Sequence, residues 1–292
     1  MSTPDFLKAR ISDDVTLAYV DSWHGRAKED MPERYTTVVG LHGVGFNSAV
    51  WTPLLPALPS SIRFLAYNQR SYAQSSPAFD AKQPGGTDAT ATYLCDLMEF
   101  LRFAVEELGV QGVDEETHEG GIVLLAVSPP NSSTPTEFAE AFAGWIGMYA
   151  PSAHADEVAE ELLPASGLDA LSPELRQLAW EPACVAHGFA WRLAEGADEV
   201  QRLAESALKP TGGVALPVGL IYGTRTNGYC LDAAKTVEGW WGISDDAQET
   251  GQEQAKRKTA VRKVPGTNHF AFIHEPEAFA KAVVELVDEL SL

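Results

Sequence analysis

The sequence predicts an α/β protein: a mostly parallel central sheet flanked by helices, with a helical cap. Three observations carry that expectation. Continuous, largely apolar runs stand at Thr36–Leu41 (TTVVGL), Ile62–Tyr67 (IRFLAY) and Ile122–Ala126 (IVLLA), the pattern of strands buried on both faces. From Thr87 to Leu108 apolar residues recur three and four apart (Ala91, Leu94, Leu97, Met98, Leu101, Val105, Leu108), and Gly109 then closes a long amphipathic helix. Strand, loop, helix and strand therefore follow in the strict order of a parallel sheet wrapped on both faces.

The other elements fit around these. Leu7–Ile11 and Val15–Val20 alternate apolar and polar residues about Ser12, Asp13 and Asp14, as the two strands of an antiparallel hairpin do. Asn47 to Leu58 reads as a helix that turns Trp51 and Leu54 inward. Beyond Ala126 the pattern gives a helix at Glu137–Phe142, a strand at Gly144–Tyr149, and helices at Asp156–Leu163, Pro173–Trp180, Ala183–Leu193 and Asp198–Leu208. Residues 151–210 are thus the expected cap, and residues 1–150 and 211–292 the core. Leu216–Tyr222 and Thr259–Val264 are the last strands, with a polar loop or exposed helix at Asp245–Lys256 between them. Pro276–Leu290 closes the chain as an amphipathic helix burying Phe279, Val283, Leu286 and Val287.

Composition removes several classes of function. A chain of 292 residues, 45% hydrophobic and with 7 tryptophans, has the material for a large folded core. Its formal charge of -20 repels phosphate backbones and anionic membrane surfaces, so a small molecule is the expected partner and a nucleic acid is not. The basic cluster Lys256, Arg257, Lys258, Arg262 and Lys263 ends an acidic loop and reads as a solvated face. Cys95, Cys184 and Cys230 are odd in number and far apart, which argues against disulfides and metal sites and for reduced, buried thiols. The stretch MSTPDFLKARISDD lacks the apolar centre of a signal peptide, and no run reaches the length of a membrane span. The expected compartment is the cytosol.

Residues that bear chemistry stand at the ends of strands. The run Gly120–Pro130 (GGIVLLAVSPP) reaches a serine, Ser128, just after its strand. Leu41-His42-Gly43-Val44-Gly45-Phe46 follows the first buried strand, Asn68-Gln69-Arg70 with Ser75 follows the second, and Pro265-Gly266-Thr267-Asn268-His269-Phe270 follows the last. In this order, and over nearly the whole chain, these motifs resemble the α/β-hydrolase superfamily; some of the loop wording is similar to small soluble members found in fungi. The resemblance implies acyl transfer, with Ser128 as nucleophile and His269 as its base. It also implies an oxyanion donor at Val44, or second to it Gly45, in a loop where His42 and Gly43 face the substrate. The cap aromatics Trp180, Phe189 and Trp191 would supply an apolar pocket, packing between cap and sheet being their other role. No cofactor and no metal is implied. The implied activity is that of a serine hydrolase on an ester or another small apolar acyl compound; the alternative is a hydrolase-fold protein that binds such a ligand without turning it over.

The chain departs from the superfamily in two places. Where the family has G-x-S-x-G, it has Ala126, Val127, Ser128, Pro129 and Pro130. Pro129 has no N–H to give to an oxyanion, and it restricts Ser128 to extended conformations. Losing one such donor costs about 2.7 to 4 kcal/mol of transition-state stabilisation. The acid expected after the strand ending at Gly223 is replaced by Thr224, Arg225, Thr226 and Asn227. The family's alternative position for the acid, near Tyr149 and Ala150, has no carboxylate either; Asp232 is the first candidate downstream of these positions and Asp156 the second in preference, with Thr226 or Asn227 as neutral groups able to orient the imidazole.

Overall fold

A computed structural model of the chain describes residues 4–77, 89–113, 120–126, 170–184, 197–210, 216–226, 228–243 and 257–291. They fall into two compact units, Met1–Gly144 with Leu171–Ala194, and Trp145–Ala170 with Glu195–Leu292.

Among the described residues the first unit holds a five-stranded sheet of β1 (Leu7–Arg10), β2 (Thr16–Asp21), β3 (Thr36–Leu41), β4 (Ile62–Tyr67) and β5 (Ile122–Ala126), in the order β1-β2-β4-β3-β5. The predicted hairpin is antiparallel, β2 joins β4 antiparallel, and β3 runs parallel to both β4 and β5. On one face Tyr19, Val39, Leu65 and Tyr67 pack with Phe100 and Ala104 of helix α1 (Ala89–Glu106). The Tyr67 and Phe100 rings lie 4.8 Å apart. Elsewhere on the sheet the Trp51 and Phe64 rings meet at 5.5 Å, tilted by 55°, and a Cβ on Gly40 would sit 2.6 Å from the Phe64 ring. Burial of each such side chain contributes about 1.5–3 kcal/mol.

Two expectations change here. The predicted helix over Asn47–Leu58 is two 3₁₀ turns, Ser48–Trp51 and Leu55–Ala57, because Pro53 and Pro56 lack the N–H groups that a continuous helix needs. Trp51 and Leu54 are nonetheless fully buried, as expected. On α1 the buried line is Asp96, Phe100 and Ala104, while Leu94, Met98 and Val105 are exposed. The polar member of that line explains the shift: Asp96 is drawn inward by Arg70, whose Nε and Nη2 both donate to it at 2.6 Å. A second buried pair, Arg63 with Asp21 at 2.8 Å, accounts for the one charge in β4; Arg63 also donates to the Leu108 carbonyl and lies over the Trp23 ring. Helix α2 (Pro173–Ala179) belongs to this unit and starts as its sequence dictates, with Ser172 accepting the Leu175 N–H and Pro173 at the first helical position.

The second unit is built on β6 (Val218–Gly223) and β7 (Thr259–Val264), parallel and in register from Val218–Thr259 to Gly223–Val264. Among its described residues are also helices α3 (Ala197–Leu208), α4 (Gly228–Trp241), α5 (Ala271–His274) and α6 (Pro276–Leu290). Helix α6 buries Phe279, Val283, Leu286 and Val287, the face its sequence predicts, and the side chains of Leu286 and Leu290 pack closely over Gly219. Helix α4 was not expected. Its signal is a short inward line of Ala234, Val237, Glu238 and Trp241, in which Glu238 is buried because it accepts from the Tyr222 hydroxyl at 2.8 Å and pairs with Lys263 at 3.1 Å. The expected elements at Glu137–Phe142, Gly144–Tyr149, Asp156–Leu163 and Asp245–Lys256, and most of Ala183–Leu193, lie outside the described residues.

The thiols are not uniformly buried as expected: Cys184 is buried, Cys230 half-buried and Cys95 exposed. Among the described residues no helix is long and apolar enough to cross a membrane.

Candidate active site

In the first unit, the loop after β3 is fixed by bonds to both its backbone and its side chains. Nε2 of His42 accepts the Gln69 N–H at 3.1 Å, so the ring proton is on Nδ1, which donates to the Gly43 carbonyl at 3.1 Å. Burial pushes the His42 imidazole down to about 4, against a small opposing effect of that carbonyl, and keeps it neutral at ordinary pH. With both nitrogens spent on backbone, His42 braces this loop and does not offer itself to a substrate. Gly43 is likewise engaged, its carbonyl also taking the Phe46 N–H at 3.2 Å.

Gly45 turns the chain at φ 81 and gives its N–H to the Tyr72 hydroxyl at 3.1 Å. An amide so committed is not available to an oxyanion, which corrects the second of the two expected donors and leaves Val44. Asn47 donates to the Leu178 carbonyl and to Glu181 Oε1, both at 2.6 Å. Glu181 in turn gives its N–H to the Gly45 carbonyl at 2.8 Å and takes the Ala73 N–H at 2.9 Å. One carboxylate thus ties the loop after β3 to the loop after β4. Trp180 forms a bridge with Phe46 and packs on its ring at 5.1 Å, a packing role for this aromatic.

The loop after β4 is equally closed. Asn68 accepts the Ser48 N–H at 2.6 Å and donates to the Ala73 carbonyl at 3.0 Å, while Ser75 Oγ donates to the Asn68 carbonyl at 2.7 Å and accepts the Ala18 N–H at 2.9 Å. Ser71, where the resembled motif has glycine, keeps the left-handed backbone at φ 74.

In the second unit the loop after β7 presents His269. Gly266 turns at φ 71 and gives its N–H to Thr224 Oγ1 at 2.9 Å; Arg225 gives its N–H to the Thr267 carbonyl at 2.9 Å. The loop expected to carry the acid is therefore laced to the loop that carries the histidine. The approach is so close that a Cβ on Gly223 would overlap the carbonyl oxygens of Thr267 and Asn268. The hydroxyl of Thr226 is buried and has no hydrogen-bond partner among the described residues, so it does not orient the imidazole. The thiol of Cys230, on the first turn of α4, lies 3.8 Å from Nδ1 of His269. Asp232 is two residues further along that helix and exposed.

Ser128, Pro129, Pro130, Phe189 and Trp191 lie outside the described residues. Sequence reasoning missed Tyr72, Glu181 and Cys230. Their roles rest on contacts between residues 27, 108 and 39 positions apart, which carry no local signal.

No protein-family model and no curated protein matches the chain. Solved structures do. A bromoperoxidase from Bacillus anthracis superposes with a TM-score of 0.53 at 16% identity over 97% of this chain and 100% of that one. An epoxide hydrolase from Vigna radiata gives 0.57 at 14% identity over 98% of each chain. An enol-lactonase from Burkholderia xenovorans LB400 gives 0.55 at 16% identity over 97% of this chain and 100% of that one. The chain has the α/β-hydrolase fold. At these identities the likeness is one of fold.

Proposed function

We propose that the protein is a serine hydrolase acting on a small apolar ester or related acyl compound. The observation that carries this reading is the bracing of the loop after β3. Three buried side chains, His42, Tyr72 and Asn47, and the carboxylate of Glu181 hold a short stretch of backbone whose own residues are mostly small. A preorganised amide is what an oxyanion needs, because donors fixed in advance cost no reorganisation as charge develops. In this reading Val44 is the donor, Ser128 the nucleophile and His269 the base. Asp232 adds negative charge to the helix that faces the base, and residues 151–210 act as a cap that brings Phe189 and Trp191 to the substrate. Solved structures of the same fold include an epoxide hydrolase and an enol-lactonase, which supports the reaction class.

A second reading has its own support. Pro129 follows Ser128 without an N–H, which favours a protein that binds the same ligands and turns them over slowly or not at all. A fluorophosphonate probe separates the two. Labelling of the purified protein that is lost in Ser128→Ala supports the hydrolase. Absent labelling, together with a melting temperature raised by apolar esters, supports the binding protein.

A further inference from the structure

Of the successive amides of Val44, Gly45, Phe46 and Asn47, the last three are committed. The Gly45 N–H goes to the Tyr72 hydroxyl at 3.1 Å, the Phe46 N–H to the Gly43 carbonyl at 3.2 Å and the Asn47 N–H to the Ala179 carbonyl at 3.0 Å. Among the described residues the Val44 N–H takes no acceptor. The Phe46 bond closes a turn from Gly43 whose third member, Gly45, has φ 81, the value that a type II turn requires at that place. The Gly43 carbonyl and the Val44 N–H belong to one planar trans peptide and point in opposite directions. With the carbonyl turned to Phe46 and to the His42 ring, the Val44 N–H is turned away from both.

Type I and type II turns differ by a half-rotation of the central peptide, so this arrangement lasts only while the Gly45 N–H is held. Tyr72 holds it directly, and Glu181 keeps Tyr72 within reach. The Glu181 N–H donates to the Gly45 carbonyl at 2.8 Å, and its Oε1 accepts from Asn47 Nδ2 at 2.6 Å and from the N–H of Ala73, the neighbour of Tyr72, at 2.9 Å. Phe46 and Trp180 form an antiparallel bridge between these bonds. One residue, 134 positions from Asn47 and 108 from Ala73, therefore grips both the turn and the loop that carries the tyrosine. A carboxylate suits this place because both its oxygens only accept, whereas an amide would set a donor against one of the N–H groups.

We propose that Glu181 is the positioning residue of the oxyanion donor: by locking the turn Gly43–Phe46 against Tyr72 it keeps the Val44 N–H aimed, and so acts on the rate of acyl transfer and not on substrate binding. A donor oriented in advance lowers the barrier as charge develops and gives little to the uncharged ester. The effect on rate rests on the reading of the protein as a serine hydrolase; the locking of the turn does not.

The test compares wild type with Glu181→Gln, which keeps the volume and removes the charge, and with Glu174→Gln, an exposed carboxylate in the first turn of α2. Labelling by a fluorophosphonate over a range of concentrations gives an inactivation rate constant and a half-saturating concentration. Glu181→Gln is expected to lower the rate constant about 10- to 100-fold and to leave the half-saturating concentration within about twofold. It also displaces the backbone ¹H–¹⁵N signals of Val44 and Gly45, and Glu174→Gln does none of these things. Asn47→Asp, which sets a second carboxylate against the first, gives the same split and decides the matter if Glu181→Gln fails to fold. An unchanged rate constant in folded Glu181→Gln overturns the proposal, as does a change confined to the half-saturating concentration. If wild type takes up no probe, the hydrolase reading fails alone; displaced Val44 and Gly45 signals in Glu181→Gln then uphold the locking of the turn, and unmoved signals overturn it.

Discussion

The backbone N–H of Gly45 donates to the hydroxyl of Tyr72 at 3.1 Å, in a buried position. Tyr72→Phe keeps the ring against His42 and leaves that N–H unpaired, so it costs about 1–3 kcal/mol. Urea denaturation of the two proteins measures the difference. A loss below about 0.5 kcal/mol means that the hydroxyl does not hold the loop.

His42 links stability to pH. Its folded value, about 4, lies below the ordinary 6.5, so between these limits the unfolded chain binds a proton that the folded one does not. The contribution is complete above pH 6.5 and is lost as pH falls towards 4, about 3 kcal/mol over the full interval. His42→Leu removes it. The stability gap between wild type and variant narrows as pH drops through that window, and a gap independent of pH would show that the buried ring is protonated.

Ser71 and Gly266 test the left-handed backbone from opposite sides. Both have positive φ, 74 and 71, and a Cβ on Gly266 would meet nothing within 4 Å, so its substitution reads the backbone alone. Ser71→Gly should stabilise by up to about 1 kcal/mol, the steric relief being partly offset by chain entropy, and Gly266→Ala should destabilise by about 1–2 kcal/mol. Thermal melts at one pH give both signs; equal signs refute the argument.

Gly223→Ala drives a methyl into the Thr267 and Asn268 carbonyls, which are backbone and cannot rotate away. The loop bearing His269 must shift. The expected cost is about 1–3 kcal/mol, together with a change in the NMR signals of His269 that Gly239→Ala, an open position on α4, does not produce. Unchanged His269 signals would mean that the two loops are not mechanically joined.

Much of the fold is legible in one dimension. β3, β4, β5, β7 and α6 occupy the residues their patterns predict, because their periods are set by local geometry, although β5, expected to be buried on both faces, leaves Leu124 exposed. The misassignments share a cause. The face of α1 turns on Asp96 and its partner Arg70, and the expected helix after Asn47 fails at prolines whose effect depends on which N–H groups the fold needs. The site is less legible than the fold. His42 and His269 stand out by their loops, but what each ring nitrogen meets depends on Gln69 and Cys230, remote in the chain.

Periodicity and punctuating residues alone place most of the strands and helices, since a strand or helix period is set by local backbone geometry. Packing in three dimensions sets the Gly45 amide on Tyr72, joins two loops through Glu181, and brings the Cys230 thiol to His269. Hydrogen bonds act over about 3 Å of space, whatever the separation along the chain, so the partners of a side chain are fixed only when folding brings distant loops together.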